Sequence, residues 1–356
     1  MSEAVILGDP MELEALVPEW TSLCSEVART PFAWPSWQLP WIRTFVPDGH
    51  LVAVVVKGRG RVDGLLTWHR DPTNRRRLLP PGGAWVFLNE PPMRSHKAAS
   101  VALDALCSHG GWEEVLLHSL DPGHPGSAVV LEACRAHPRV ILDAPSPGGS
   151  ALVKLEGDWD AWLSRRSRHW RHEMRRKRRR AEKRSELRLS ASAGIPCAED
   201  REAVLRVEEN SWKARVGSTF AGRENYLVFL QQLWDEWQGP GLFETAVLYI
   251  DGHPAAFTLA LVWGAKVWAL KTSFDEAVAE LAPGVLLIDS MLERWARAGV
   301  EVVDLLGSPV RWKRERADGL ASRCSGTLYP ASLWNRARTS LRRRVRASRR
   351  SLAGRG

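Results

Sequence analysis

Residues 271–313, KTSFDEAVAELAPGVLLIDSMLERWARAGVEVVDLLGSPVRWK, decide how the rest of the chain is read. An apolar run ends at Phe274-Asp275, and Pro283-Gly284 then breaks the chain and opens a helix. Val285, Ile288, Leu292, Trp295 and Ala296 recur at helical spacing, so one face of that helix is apolar. Gly299 ends it, since glycine accepts the left-handed cap conformation. Val300, Val302, Val303 and Leu305 follow as a buried strand. The stretch therefore predicts strand, loop, helix, strand. A helix start leaves backbone N–H groups unpaired, and with the helix dipole they favour an anion. Every strand–helix–strand unit shares this grammar, so the local pattern is equally compatible with a purely structural role.

The chain has 356 residues, 44% of them hydrophobic, enough for two domains with cores of their own. Apolar runs such as 51–56 and 255–263 are too short to cross a bilayer. The N-terminus is acidic and lacks a charged-then-apolar signal pattern, which leads us to expect a cytoplasmic protein. Five scattered cysteines without a C-x-x-C pair point away from a zinc site or a disulfide framework. His169 and His172 lie among arginines that repel a cation, so no metal is expected. The net charge of +9 is unevenly placed. Residues 164–184 hold 12 Lys/Arg against 2 Glu, and 331–356 hold 9 Arg and no acid, while the remaining body is net acidic. Two local patches favour a localised anionic partner over a uniform basic coat.

Outward from the central stretch, the sequence predicts a helix over 10–30, and a short helix capped by Ser36 carrying Trp37, Trp41 and Phe45. A hairpin of strands 51–56 and 62–68 comes next. Strand 85–88, helix 98–107, strand 114–118, helix 127–136 and strand 140–142 complete a first domain, 1–149, closed by the loop PSPGG at 145–149. The second domain, 150–330, opens with strand 151–155. A single long helix is expected over 159–184, capped by Asp158, with Trp159, Leu163, Trp170, Met174 and Ala181 in one apolar stripe. Strand 187–192, helices 200–215 and 224–237, hairpin 243–250/255–263 and strand 266–274 lead into the central stretch. A basic helical tail, 331–356, has Trp334, Leu341, Val345 and Leu352 at helical spacing. Each half repeats hairpin, helix ending at glycine, and strand, with Gly111-Trp-Glu-Glu-Val-Leu-Leu parallel to Gly299-Val-Glu-Val-Val-Asp-Leu. The expected class is α/β with two similar domains in tandem.

This order of elements resembles the tandem form of the GNAT acyltransferase superfamily, above all the CelD-like or BioF-like acetyltransferases, and more distantly the Fem-type aminoacyl-tRNA-dependent transferases. The resemblance rests on Pro31-Phe32, Ser36-Trp37 and Trp41; on the basic helix 165–180; and on Ser211-Trp212-Lys213. It rests also on Phe274-Asp275 with Pro283-Gly284 and Leu286-Leu287, and on Asp304, Gly307 and Trp312-Lys313. Ala282 stands where the family's serine is usual, and Trp312 where its tyrosine is. The resemblance implies two mixed, mostly antiparallel sheets with flanking helices. It further implies an acyl donor lying between strands 266–274 and 300–305, near Phe274, Pro283, Gly284, Val285 and Leu286. An amine then attacks the donor carbonyl directly, so positioning and oxyanion stabilisation carry most of the rate. The segment 280–285, ELAPGV, departs from the usual Q/R-x-x-G-x-G/A phosphate loop. It has one glycine, a nearby acid and a proline without an N–H.

The candidate site residues carry competing readings. Lys313 either stabilises an oxyanion or phosphate, or is a solvated lysine of the run 311–314. Asp304 either orients the amine or accepts its proton, or pairs with an arginine, because a lone carboxylate ending an apolar strand is costly. Trp212 and Lys213, with Trp312, either line an acceptor groove or are a core tryptophan and a surface lysine. Glu208 and Glu209 are bases or solvated helical glutamates. Arg168, Arg171, Arg175, Arg176, Arg179 and Arg180 contact tRNA phosphates, face an anionic membrane, or are simply solvated. The expected reaction moves an acyl group from acyl-CoA to a small-molecule or peptide amine. The alternatives are aminoacyl transfer from tRNA and a non-catalytic nucleic-acid or envelope-binding module.

Overall fold

The computed structural model describes residues 2–82, 88–143, 148–217, 219 and 222–342. Most of the strand expected at 85–88, part of the 145–149 loop, and Val345 and Leu352 of the tail lie outside these residues.

The chain forms two units that are discontinuous in sequence. The first comprises Met1–Pro35, Val46–Gly148 and the chain from Ser322; the second comprises Ser36–Phe45 and Gly149–Ala321. This division differs from the linear expectation in two segments. The short aromatic helix Pro35–Phe45 counts almost wholly with the second unit, and the chain after Ala321 counts with the first.

In the first unit β1 (Glu3–Leu7), β2 (Leu51–Gly58), β3 (Arg61–Asp71) and β4 (Asn74–Leu79) pair antiparallel in sequence order. Helix His96–His109 then crosses over to β5 (Glu114–Leu120), which lies parallel to β4 through Arg77↔Glu114. β6 (Val140–Asp143) follows helix Pro125–Ala136. The core of this unit gathers Val52, Val54, Val56, Leu66, Leu103, Leu106, Val115 and Leu131.

The second unit repeats the plan. After β7 (Gly148–Lys154), the strands β8 (Leu187–Ala193), β9 (Leu242–Ile250), β10 (His253–Trp263) and β11 (Lys266–Phe274) pair antiparallel. Helix Pro283–Arg297 crosses over to β12 (Val302–Asp304), parallel to β11 through Lys266↔Val302, Val267↔Val303 and Trp268↔Asp304. β7 closes the other side of β12 antiparallel. The last strand, β13 (Gly319–Pro330), pairs antiparallel with β5 and β6. Four antiparallel strands, a helix and a parallel fifth strand thus occur twice, as the repeat of sequence pattern predicts.

Local chemistry accounts for these elements. Strands β2 and β9 are buried along nearly their whole length, so both faces are covered, and 51–56 and 246–250 read as continuous apolar runs. The β9–β10 turn places Asp251 and Gly252 at φ 51° and 77°, the double left-handed pair that a two-residue hairpin needs. Helix Pro283–Arg297 buries Leu287, Ile288, Met291, Leu292 and Trp295 over small residues of the sheet, Ala246, Ala256, Ala260 and Ala269. Each fully buried Leu or Ile contributes roughly 1.5–3 kcal/mol.

Three expected helices are each two. The 159–184 helix divides into Trp159–Ser164 and Arg168–Glu182, because Ser167 caps a new start by accepting from Trp170 N. Asp158 caps the first piece as expected, and four of the five stripe residues, Trp159, Leu163, Trp170 and Ala181, pack on the core, while Met174 is half-buried beside it. The 200–215 helix divides into Ala198–Glu209 and Trp212–Arg215, with Ser211 as the second cap. The 10–30 helix divides into Pro10–Glu14 and Val17–Val27, Pro18 lying at the start of the second. The helix carrying Trp37 begins at Pro35, so Ser36 lies inside it rather than capping it. Strand β4 has only two apolar residues in six and β13 little alternation, so neither reads as a strand from sequence, while the apolar run of β1 is too short to tell strand from helix.

Candidate active site

Strands β11 and β12 pair only as far as Trp268 and Asp304. Beyond that point β11 stays with β10 up to Phe274, while the other arm turns sharply at Leu306 and Gly307, with φ of 43° and 57°. The glycine of the Asp304-x-x-Gly307 motif supplies a left-handed position for that turn. Asp304 is fully buried, and its Oδ1 accepts from Leu306 N at 2.9 Å, which fixes the turn. Lys313, on the short helix Arg311–Arg314, reaches back to donate to Leu306 O at 2.6 Å. That helix is anchored from below. Buried Arg316 pairs with buried Asp289 at 2.6 and 3.0 Å and donates to Trp312 O at 2.9 Å. Trp312 packs on the core, its ring 5.5 Å from Lys313 Nζ.

A second group of charges lies at the same splay, held by helix Ala198–Glu209 and β11. Glu208 is buried, in register with Val204 and Ser211 on the inner face of its helix. Its Oε1 is 2.5 Å from Lys271 Nζ and 3.8 Å from Lys213 Nζ. Lys213 also donates to Thr272 O at 3.1 Å and lies 6.0 Å from the Phe257 ring. Thr272 and Thr258 hydroxyls share a hydrogen bond of 3.0 Å across β10 and β11. Lys213 feels the charges of both Lys271 and Lys313, and Lys313 that of Asp304, so three lysines and two carboxylates lie within electrostatic reach of one another where the strands part.

Burial sets the proton affinities. It pushes Lys213 down to about 8, helped by repulsion from Lys271 and Lys313 and opposed by Glu208. It pushes Lys313 down to about 8, opposed by Asp304. Lys271 is lowered as well, burial outweighing the attraction of Glu208. Shifts of this kind concentrate at functional sites.

Among the residues expected from sequence, the structure brings Lys213, Lys313 and Asp304 together. The reading of Trp212-Lys213 as core tryptophan and surface lysine is reversed: Trp212 is 48% exposed and Lys213 is largely buried. Glu208 is not a solvated helical glutamate, whereas Glu209 is exposed. Lys271 and Thr272 were not singled out, although a lysine inside the apolar strand sequence Trp268-Ala-Leu-Lys-Thr-Ser-Phe274 was a visible signal.

The donor loop is less open than a helix start alone suggests. Ala282 takes the left-handed conformation, φ 55°, and both Val285 N and Leu286 N donate to Ala282 O. Pro283 has no N–H to offer. A Cβ on Gly284 would meet Phe274 Cδ1 at 3.2 Å, so Gly284 is packed against the end of β11. Glu280 lies 3.9 and 3.6 Å from Arg180 and Arg184 of the basic segment. These features fit a pyrophosphate cradle poorly. On helix Arg168–Glu182, Arg168, Arg175, Arg176, Arg179 and Arg180 are exposed and Arg171 is half-buried. Arg176 is held by Glu173 at 2.8 Å. Among the described residues there is no metal-binding group of His, Cys, Asp and Glu, and no helix long and apolar enough to cross a membrane.

Residues 168–314 match the family model described as Acetyltransferase (GNAT) domain. The matched segment contains all three lysines and both carboxylates of the site. Among solved structures, FemX superposes with a TM-score of 0.57 at 11% identity, covering 92% of this chain and 97% of that one. The C-terminal domain of a protein described as a lysylphosphatidylglycerol synthetase, from Agrobacterium fabrum, superposes at 0.55 and 14% identity over 90% and 92%. L-PGS from Bacillus licheniformis does so at 0.53 and 13% over 94% and 96%. No curated protein sequence matches the chain. Residues 168–314 thus match a GNAT acetyltransferase domain, and the chain shares its fold with these solved structures.

Proposed function

We propose that the protein transfers an acyl group from an acyl thioester to an amine, with the carbonyl placed at the splay of β11 and β12. The observation that carries this reading is the gathering of Lys213, Lys271, Lys313, Glu208 and Asp304 at that splay, inside the matched domain. Attack by the amine places negative charge on the carbonyl oxygen. The Lys313 ammonium, aimed by Leu306 O and Asp304, offsets that charge. Lys213, close to half neutral near pH 8, accepts the proton lost by the amine as the C–N bond forms; the C–S bond then breaks, and the departing thiolate takes up a proton from Lys213. Glu208 and Lys271 act as positioning residues that hold Lys213 in place. Phe274, Gly284 and Leu286 would flank the donor, and Trp212 and Trp312 the acceptor. Calorimetric titration with acetyl-CoA and longer acyl-CoAs tests the thioester. Micromolar heat with one of them is expected, and no heat with any of them overturns this donor.

The closed first turn of helix Pro283–Arg297 favours a second reading, in which the donor is an aminoacyl-tRNA. The acyl group then arrives as an ester, and helix Arg168–Glu182 meets the RNA backbone. A groove of about 490 Å³ along that helix is lined by His172, Arg175, Arg176, Arg179, Arg180 and Lys183, with Arg184 beyond its end. On this reading tRNA binding weakens steeply with salt, and replacing Arg175, Arg176, Arg179 and Arg180 by Gln flattens the slope while the melting curve is kept. Salt-independent or absent binding removes tRNA.

A further inference from the structure

The helix at 333–342 docks the wrong way round for an ordinary surface helix. Ser332 starts it, accepting from Asn335 N at 3.1 Å. Its polar side faces the protein. Asn335 donates to Pro330 O at 2.9 Å, Thr339 is buried, and Arg338 lies 3.5 Å from Glu114 and 5.1 Å from the Tyr329 ring. Arg342 donates to the Tyr329 hydroxyl at 2.8 Å. Its apolar side faces out. Leu333 is 88% exposed, Trp334 74% and Leu341 64%, and Ala337 between them is also exposed. At about 100° per residue these four occupy one continuous arc, and the four docked residues occupy the opposite one. Solvating that apolar arc is unfavourable, and the polar anchors prevent the helix from rolling over to bury it.

We propose that this helix seats the protein on an anionic lipid bilayer, with Leu333, Trp334 and Leu341 entering the interface. Charge argues for the occupant. From Ala331 to the end, the sequence holds 9 arginines and no acid, the composition that attracts a negatively charged leaflet. Tryptophan and leucine on one side with arginine around them is the pattern of a helix lying in the membrane plane. A protein partner with an apolar groove satisfies the three side chains but leaves the segment's net positive charge without a role. The inference is independent of the transfer chemistry, because none of these residues belongs to the site above.

The test is flotation of the full-length protein with vesicles of phosphatidylcholine alone and with about 30% phosphatidylglycerol added. Wild type should float with the anionic vesicles and stay behind with the neutral ones. The triple variant Leu333→Ser, Trp334→Ser, Leu341→Ser should lose at least about tenfold in partitioning. These side chains are exposed, so its circular dichroism melt should match wild type. The single variant Trp334→Ser serves if the triple does not fold, and should lose part of the binding. Absent wild-type binding, or equal binding by the variant, overturns the proposal. So does a wild-type dimer that the triple variant converts to monomer without any vesicle binding, since the face then belongs to a second copy. RNA binding that survives the apolar substitutions, with no flotation, also overturns it.

Discussion

Lys271 Nζ and Glu208 Oε1 lie 2.5 Å apart, with Glu208 fully buried at the inner face of its helix. The pair joins β11 to helix Ala198–Glu209 and supplies the negative charge that keeps Lys213 in the site. Removing one member of a buried pair leaves the other charge uncompensated. Glu208→Gln is therefore expected to destabilise the fold by about 3 kcal/mol, the low end of the range because Lys271 retains some solvent. The double change Glu208→Leu, Lys271→Met should recover most of that loss while activity stays absent. Urea unfolding of the three variants checks it. A double variant no better than Glu208→Gln would mean that the pair does not act as a unit.

The role given to Lys313 fixes the direction of the pH response. Its proton affinity is lowered to about 8, so the ammonium needed at the oxyanion is lost as the pH rises through that value. The rate kcat should therefore fall above about pH 8. Lys313→Arg keeps a positive charge at every accessible pH. It should show a lower plateau but no such fall, whereas Lys313→Met should lose about 100-fold or more in kcat below about pH 8, the gap to wild type closing as the pH rises. Initial rates between pH 6 and pH 10 separate these outcomes.

Lys213 carries a stability prediction of opposite feel. Its folded value, about 8, lies below the unfolded value of an ordinary lysine. Between the two, the unfolded chain holds a proton that the folded chain has released, so this group's contribution to stability rises with pH. Below about pH 8 the cost of the buried charge is fully present. Lys213→Met removes that cost and should raise Tm at pH 7 by about 2 °C or more, with the advantage shrinking towards pH 10. Turnover should be lost at both pH values. A lower Tm at pH 7 would show that the bonds to Thr272 O and Glu208 outweigh desolvation.

Much of the second unit was legible because its signals are local. Lys266–Phe274, the helix opening at Pro283 and its glycine stop follow from periodicity and breakers within a few residues. The site was legible in part. Asp304 and Lys313 sit in a motif with its own turn glycine, but Glu208 and Lys271 are 63 residues apart and meet only through the packing of a helix on a sheet. Helical spacing from Val204 would have put Glu208 on the inner face, where a charged residue signals a partner, but Glu208 was weighed only as a base or a solvated glutamate. The helix breaks at Ser167 and Ser211 were written as serines, yet a serine inside an apolar stripe reads equally well as a tolerated polar residue. β13 was illegible for a different reason. Its sequence, GLASRCSGTLYP, lacks alternation, and partners far away in sequence decide its conformation.

Gly284 separates the two donors. Its missing side chain is what allows helix Pro283–Arg297 to start against Phe274, since a Cβ would stand 3.2 Å from Phe274 Cδ1. Gly284→Ala adds that contact but gains about 0.5–1 kcal/mol of helix preference, so its stability should be close to wild type. Gly284→Val overpacks the same spot at a cost of about 1–3 kcal/mol and pushes Phe274 towards the donor path, while the large core behind Leu287 and Leu292 keeps the unit folded. If an acyl thioester passes between Phe274 and the helix start, Gly284→Val should weaken acyl-CoA binding at least tenfold with a melting transition still cooperative. If the donor is an aminoacyl-tRNA held by the basic helix, the same variant should bind tRNA as wild type does and lose only turnover. Acyl-CoA calorimetry and tRNA anisotropy on this one variant therefore read out which chemical carrier the loop serves, and unchanged binding together with unchanged turnover would move the donor away from Gly284 altogether.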